Sequence, residues 1–246
     1  MSQTQIEVEN LSFAYESNRQ ILHAITFRAS GSEAIGLVGA NGVGKSTLLK
    51  LLVGLNLGFS GSIRVGGLPV EKKTFPQIRQ KTGYVFQDSD SQLFLSTAYE
   101  DIAFAPRNYG FSQAEVDARV RHALEQIGIE HLRDKQIYKM SGGEKKMVSI
   151  ATILSMTPDI ILMDEPSIAL DPRNRRQLIR ILNTLPGLKL IASHDLDMIL
   201  DTCERTILMA DGTIVRDGPT ADILTDRALL EANGLELPLS CMGRTH

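Results

Sequence analysis

The sequence predicts a mixed α/β fold interrupted by a helical insertion, and three observations carry that reading. A glycine-rich loop, Gly39-Ala40-Asn41-Gly42-Val43-Gly44-Lys45-Ser46-Thr47, lies between an apolar stretch at 34–38 and a helix-like stretch at 47–53. A second apolar run, at 160–163, ends in two adjacent acids, Asp164 and Glu165. Between the two, from about residue 88 to residue 158, strand texture gives way to helical periodicity.

Taken in order, residues 6–11 alternate apolar and polar as a half-buried strand does. A second strand covers 21–27, after a polar turn around Ser17 and Asn18. Residues 34–38 read as a short buried strand, and 62–65 and 82–86 as two more, the last ending at Gln87. Inside the insertion, 97–109 begin as a helix that Pro106 is expected to break. Ser112 and Glu115 make a capping box. Behind it Val116, Val120, Ala123, Leu124 and Ile127 recur at helical spacing until Gly128 stops the helix. Another helix runs from Ser141 to about Met156. Strand texture returns at 159–163, and Asp171 as N-cap with Pro172 in the first turn starts the next helix. A buried strand at 188–192 and a helix at 195–202 follow. Two strands, 205–210 and 213–217, flank the hairpin dipeptide Asp211-Gly212, and helices near 220–224 and 226–232 close the order. With no internal repeat or low-complexity linker, residues 1–246 read as one domain with a helical subdomain of about 88–158 inserted in its core.

The composition excludes several classes. At 43% hydrophobic and 22% charged, the chain can bury a core. A balance of 26 basic against 29 acidic residues shows no basic excess of the kind that tracks a nucleic-acid backbone. Cys203 and Cys241 are too few for a disulfide framework or a four-ligand zinc site. Residues 1–5 show neither a basic nor an apolar leader region. The longest apolar runs fall well short of the ~18 residues a membrane span needs. The expectation is a cytoplasmic protein whose contact with a membrane, if it makes one, goes through a partner.

The glycine-rich loop carries the first chemistry. Its backbone must curl until several N–H groups point at one phosphate, and a side chain at Gly42 or Gly44 is expected to block that approach. Lys45 brings positive charge to the β- and γ-phosphates, Ser46 offers a hydroxyl to Mg²⁺, and the following helix turns its positive end to the same place. The ordinary alternative, a chance glycine-rich turn, does not explain the strand before the loop and the helix after it. A buried strand ending in Asp164 and Glu165 delivers both acids to the sheet edge where such a loop sits. Asp164 would hold Mg²⁺ and Glu165 would orient or deprotonate the water that attacks the γ-phosphate. His194, just after the strand at 188–192, reads either as a helix-start residue or as a γ-phosphate sensor. Gln87 reads either as a solvated strand end or as a residue reaching Mg²⁺ or the attacking water. Ser141-Gly142-Gly143-Glu144 opens a helix at a cost of up to ~1 kcal/mol for each glycine against alanine. It fits a second anion site of bare N–H groups, a capping box of Ser141 with Glu144, or both.

Together these residues resemble the ATPase subunits of ABC transporters across nearly the whole chain. Residues 39–47 match the Walker A motif, Gln87 the Q-loop, and 160–165 the Walker B motif with its catalytic Glu. Met140-Ser141-Gly142-Gly143-Glu144 is similar to the LSGGQ signature, 167–171 to the D-loop, and His194 to the H-loop. Tyr15 falls where the family stacks a ring on adenine. The resemblance implies a P-loop NTPase (RecA-like) core with an antiparallel β subdomain and a helical ABC subdomain. It also implies ATP and Mg²⁺ as ligands and head-to-tail pairing, in which the Walker A of one chain and the signature of another clamp each ATP. The second chain is either another copy or a sister ATPase. Glu144 departs from the usual Gln. Its charge would oppose closure near a γ-phosphate unless capping and the neighbouring Lys145 and Lys146 offset it.

Residues 86–94 and 99–108 further resemble the energy-coupling-factor importers of cobalt, nickel and vitamins, with Ser89 in place of the usual Pro and Ala105 in place of Gly. The tail at 232–238 is similar to the cobalt and nickel branch. In that family this region receives a transmembrane T subunit, which works with a substrate-binding membrane subunit. Asp88, Asp90, Glu100 and Asp101 are expected to make the docking surface acidic, or else to form a plain solvated face. The cargo, a cobalt or nickel ion or else a vitamin such as biotin, would not touch this chain, which shows no His/Cys ligand cluster. Two rivals are weighed. A non-transport ABC ATPase usually carries two cassettes or a long coiled coil, and neither is present. A small P-loop kinase or GTPase gives no reason for 141–144 or His194.

Overall fold

The computed structural model describes residues 4–15 and 20–242. The turn expected around Ser17 and Asn18 lies outside them, as do residues 1–3 of the N-terminal stretch. β1 (Thr4–Ala14) and β2 (Gln20–Ser30) pair antiparallel. β3 (Ala34–Val38) runs through the glycine-rich loop into α1 (Lys45–Leu52). β4 (Ser60–Val65) and β5 (Leu68–Pro69) then complete a four-stranded antiparallel sheet of order β2-β1-β4-β5. α2 (Phe75–Lys81) leads into β6 (Thr82–Val85). The insertion follows as α3 (Ala98–Asn108), α4 (Gln113–Ile127) and α5 (Gly142–Leu154). The chain returns through β7 (Ile160–Asp164), α6 (Pro172–Thr184), β8 (Leu188–Ala192) and α7 (Leu196–Thr202). It ends with β9 (Arg205–Ala210), β10 (Thr213–Pro219), α8 (Thr220–Leu224), α9 (Arg227–Ala232) and α10 (Leu239–Met242).

The second sheet has the order β10-β9-β3-β8-β7-β6, parallel throughout except for β10. Its central strands are buried at every position because both faces are covered, and they are apolar but for Gly36, Lys189 and the terminal Asp164. Strand alternation divides those residues between two cores. Ile35, Leu37, Ile160, Leu162 and Leu190 face the core shared with the antiparallel sheet and α1. Val38, Ile161, Met163 and Ile191 face the core shared with the insertion and the later helices. α1 buries Leu48, Leu49, Leu51 and Leu52 between the two sheets. At about 1.5–3 kcal/mol for each fully buried leucine, this packing pins the loop before it.

The expected elements form with small shifts at their ends, and three short ones were not anticipated: β5, α2 and α10. α2 buries only Ile78, so no helical stripe shows in its sequence, although Thr74 before it and Pro76 in its first turn are helix-start signals. Pro106 does not break α3, which continues to Asn108. A proline in the last turn removes one intrahelical bond, and here the helix ends two residues later in any case. Asp211 and Gly212 both have positive φ, 46° and 72°, as a type I′ hairpin turn requires.

Candidate nucleotide site

Four parallel strands end side by side, and each delivers part of the site at its C-terminal edge. β3 delivers the glycine-rich loop, β8 Ser193 and His194, β7 Asp164 and Glu165, and β6 Gln87. Gly42, Gly44, Lys45, Ser46, Thr47, Asn41, Tyr15, Gln87, Glu165 and His194 all border one cleft of about 450 Å³. A neighbouring cleft of about 520 Å³ is reached past Ser46, Gln87 and Asp164.

The loop's glycines are needed for two different reasons. Gly44 caps α1 in a left-handed conformation, φ 105°, and a Cβ there would come 2.5 Å from Leu22 Cδ2. The block expected at Gly44 is therefore with the protein and not with a ligand. At Gly42, φ is 83° but a Cβ would meet no protein atom within 4 Å, so conformation and an open cradle are what demand glycine. Lys45 is 7% exposed, and its Nζ donates to the carbonyls of Gly39 (2.6 Å) and Ala40 (3.1 Å), at the mouth of the loop that also contains Val43. Burial holds its pKa below the usual lysine value, against the upward pull of Glu165 and Asp164.

Ser46 Oγ donates to Asp164 Oδ1 at 2.8 Å. A hydroxyl and a 2% exposed carboxylate so placed are hard oxygen donors, the set that suits Mg²⁺ when phosphate oxygens and water complete it. Tyr84, which the sequence reading left as an ordinary strand residue, reaches the other carboxylate oxygen at 3.4 Å. Burial, with the Asp164 charge behind it, pushes the Tyr84 hydroxyl's pKa up, so it stays a neutral donor to Asp164.

Glu165 is 6% exposed and left-handed at φ 49°, a conformation costing about 1–3 kcal/mol for a residue with a side chain. Its N–H donates to Ala192 O (2.8 Å), which ties it to the end of β8. Its Oε2 lies 2.7 Å from His194 Nδ1 and also faces the N–H of His194 (3.2 Å) and the hydroxyl of Ser193 (3.4 Å). His194 is thus bound to Glu165 and not only poised as a separate sensor. Tyr15 is half exposed. Its hydroxyl bonds Thr47 Oγ1 (3.2 Å), accepts from Asn56 Nδ2 (3.0 Å), and its ring stands edge-on to Phe13. Asn56 is a second residue that sequence reasoning missed.

Ser141, Gly142, Gly143 and Glu144 do not line the 450 Å³ cleft. Ser141 accepts from the N–H of Glu144 (3.2 Å) and Glu144 accepts from the N–H of Ser141 (2.8 Å), so the capping box is present. The expected role of Lys145 and Lys146 in offsetting Glu144 is not what the fold provides. Lys145 pairs with Asp90, Lys146 lies beneath Phe86 and Gln87, and the partner of Glu144 is Lys135, at 2.7 and 2.9 Å. The Lys135 hydrogen bond, with that from the Ser141 N–H, keeps the Glu144 carboxyl below the usual carboxylate range. The charge is therefore already spent within the chain. Glu144→Gln is expected to change kcat less than about tenfold, measured as phosphate release, and a change of several hundredfold would refute this compensation.

The surface beyond Gln87 is in part the acidic face expected of it. Asp101 is 4% exposed, and its carboxylate accepts from the N–H groups of Phe94 (3.1 Å) and Leu95 (3.3 Å). Asp88 caps a 3-10 turn at Ser89–Ser91, Glu100 completes a capping box with Thr97, and Asp90 is paired with Lys145. Asp88 and Asp90 stay exposed, and the surface exposes aromatic rings as well: Phe94, Phe104 and Tyr109 border a groove of about 220 Å³ between α3, α5 and β6. Phe94 and Phe104 meet edge-to-face with ring centroids 4.9 Å apart. Of the four carboxylates only Asp101 is withdrawn from the surface, by backbone that folds over it from outside its helix. Among the described residues no helix is long and apolar enough to cross a membrane.

Residues 22–168 match the family described as ABC transporter. A putative ABC transporter ATP-binding protein of Geobacter sulfurreducens is 48% identical over 243 residues, covering 99% of this chain and 98% of that protein. The energy-coupling factor transporter ATP-binding protein EcfA of Carboxydothermus hydrogenoformans is 38% identical over 237 residues, covering 95% and 87%. Among solved structures, cbiO1 of Clostridium perfringens, described as part of the ABC transporter complex cbiONQ, superimposes with a TM-score of 0.83 at 32% identity, covering 94% of each chain.

Proposed function

Because the chain belongs to the ABC transporter family and is one of its ATP-binding, ATP-hydrolysing subunits, we propose that it powers an importer of the energy-coupling-factor type. The cargo in this reading is a transition metal ion, cobalt or nickel. The observation that carries the catalytic half is the meeting of Lys45, Ser46, Asp164, Glu165 and His194 at one sheet edge. The importer half is supported by the aromatic groove on the helical insertion, by the resemblance of 86–108, and by the likeness to EcfA and cbiO1.

In this mechanism the loop's N–H groups hold the phosphates and Tyr15 stacks on the adenine. Lys45 exchanges the Gly39 and Ala40 carbonyls for phosphate oxygens. Ser46, Asp164 and Gln87 would hold Mg²⁺, which when bound neutralises charge on the β- and γ-phosphates. Glu165 orients the attacking water and accepts its proton. All three donors to Glu165 fall on Oε2, which leaves Oε1 to accept from the water. His194 fixes the Glu165 carboxylate in that pose. Ser141, Gly142 and Gly143, none of which lines the 450 Å³ cleft although Gly142 borders the neighbouring one, close over the ATP of a second ATPase chain. The helices between about 88 and 158 act as a subdomain that seats a transmembrane T subunit. This places the chain peripherally, on the cytoplasmic face of the membrane.

The groove gives the test. Phe94→Glu combined with Phe104→Glu is expected to abolish co-purification with membrane subunits encoded beside this gene, while basal ATPase activity of the isolated chain stays within about twofold. Undiminished membrane recovery of the double variant would sink the docking assignment. Uptake of cobalt or nickel, but not of a vitamin, in cells carrying the gene and lost without it identifies the cargo, and the opposite pattern replaces the metal by a vitamin.

A further inference from the structure

Lys146 is 1% exposed, in a position where a lysine is rarely found without a carboxylate partner. It lies on α5, five residues after the N-cap Ser141. Its Nζ donates to two backbone carbonyls, Phe86 O at 2.9 Å and Gln87 O at 2.7 Å. From the other side, the Phe86 N–H donates to Gln92 Oε1 (3.1 Å), and Gln92 Nε2 donates to Ser149 O (2.6 Å) and Thr152 Oγ1 (2.8 Å), both on α5. The segment leaving β6 is therefore bound to α5 on both sides of Phe86. Neutral donors such as Gln92 would suffice to satisfy strand-end carbonyls, so a buried ammonium is a costly choice for that purpose alone. Burial pulls the Lys146 pKa down to about 8, while Asp88, Asp164 and Glu165 pull it up. Those last two acids belong to the nucleotide site.

The two ends of this connection matter for hydrolysis. Gln87 borders both clefts beside Ser46. The N-terminus of α5 carries the turn at 141–143. We propose that Lys146 is a positioning residue for ATP hydrolysis: it fastens the Gln87 backbone to α5, so that Gln87 enters its own site only in step with the 141–143 turn of the same chain. Each site then senses whether its own chain is docked on the next. This inference rests on the catalytic half of the reading above and is independent of the cargo.

The test is a double-mutant cycle on the full chain, measured by phosphate release at saturating ATP and Mg²⁺. Lys146→Met is expected to lower kcat about tenfold or more, with the KM for ATP within about threefold, because the phosphate loop and Tyr15 are untouched. Gln87→Ala lowers kcat by itself. Combined with Lys146→Met it adds no further loss, since both changes remove the same placement. A wild-type kcat for Lys146→Met overturns the proposal, and so do penalties that multiply in the double variant. If the melting curve shows that Lys146→Met does not fold, Lys146→Gln, which keeps one donor, is required to show the same non-multiplying pattern. A wild-type kcat for Gln87→Ala also overturns it, and removes Gln87 from the site while leaving the membrane-docking test of the transport reading unaffected.

Discussion

Replacing Glu165 by Gln is expected to lower kcat by about 10²–10⁴-fold and to leave a chain that binds ATP and, if the working pair is two copies, dimerises when ATP is present. The magnitude follows from what the substitution keeps and what it removes. Glu165 sits in a strained left-handed conformation held by the end of β8, and its Oε2 takes hydrogen-bond contacts from His194 and Ser193. A glutamine of the same shape still offers one carbonyl oxygen to those groups, so the site's geometry and the fold persist. It cannot accept a proton, and proton acceptance is the step assigned to this residue. Steady-state phosphate release measures the loss, and size-exclusion chromatography with and without ATP measures the pairing. Residual turnover above about a tenth of wild type would remove Glu165 from the role of base. A variant that stays monomeric with ATP bound would argue that the second chain is a sister ATPase and not another copy.

Ser141→Arg is the second large effect, and it tests whether the site is completed by another chain. Ser141 is exposed, and its turn is absent from the cleft that holds Lys45, Glu165 and His194. An arginine there removes an N-cap, which costs about 1 kcal/mol of stability. In a domain of this size that lowers Tm by about 2–4 °C. Binding of a fluorescent ATP analogue to one chain is expected to stay within about threefold of wild type. Turnover is expected to fall about a hundredfold or more, because the bulky side chain blocks closure over the neighbouring chain's phosphates. Full activity in this variant would refute the two-chain site, whatever its Tm.

The parts of the site that were legible in the sequence are those built from contiguous residues. A strand, a glycine turn and a helix start occupy neighbouring positions between 34 and 53, so local spacing alone places Lys45 and Ser46 at a phosphate cradle. The same holds for Asp164 and Glu165 at the end of β7 and for His194 just past β8, because a buried strand ends where its apolar run ends. Capping boxes at Ser112 and Ser141 were legible for the same reason, since their partners lie three residues away. Helix α2 was not legible, because one buried residue makes no periodic stripe.

Which long side chain meets which distant group depends on non-local packing. Glu144 has Lys145 and Lys146 beside it in sequence. On a helix, adjacent positions point in different directions, and its partner is Lys135, outside the helix. Asp101 reads as a surface acid until the backbone of Phe94 and Leu95 folds over it. Tyr84 alternates onto the face that meets Asp164 only because β6 and β7 pair in the observed register. Local spacing in the chain suffices for an α/β fold with a glycine-rich loop between strand and helix and a carboxylate pair at a strand end. Packing determined that His194 is bound to Glu165, that an aromatic groove opens on the surface that also carries Asp88 and Asp90, and that Lys146 is fastened under Gln87. Chain-local spacing sets where a backbone turns, whereas the partner of a flexible charged side chain depends on what non-local packing brings within hydrogen-bond reach.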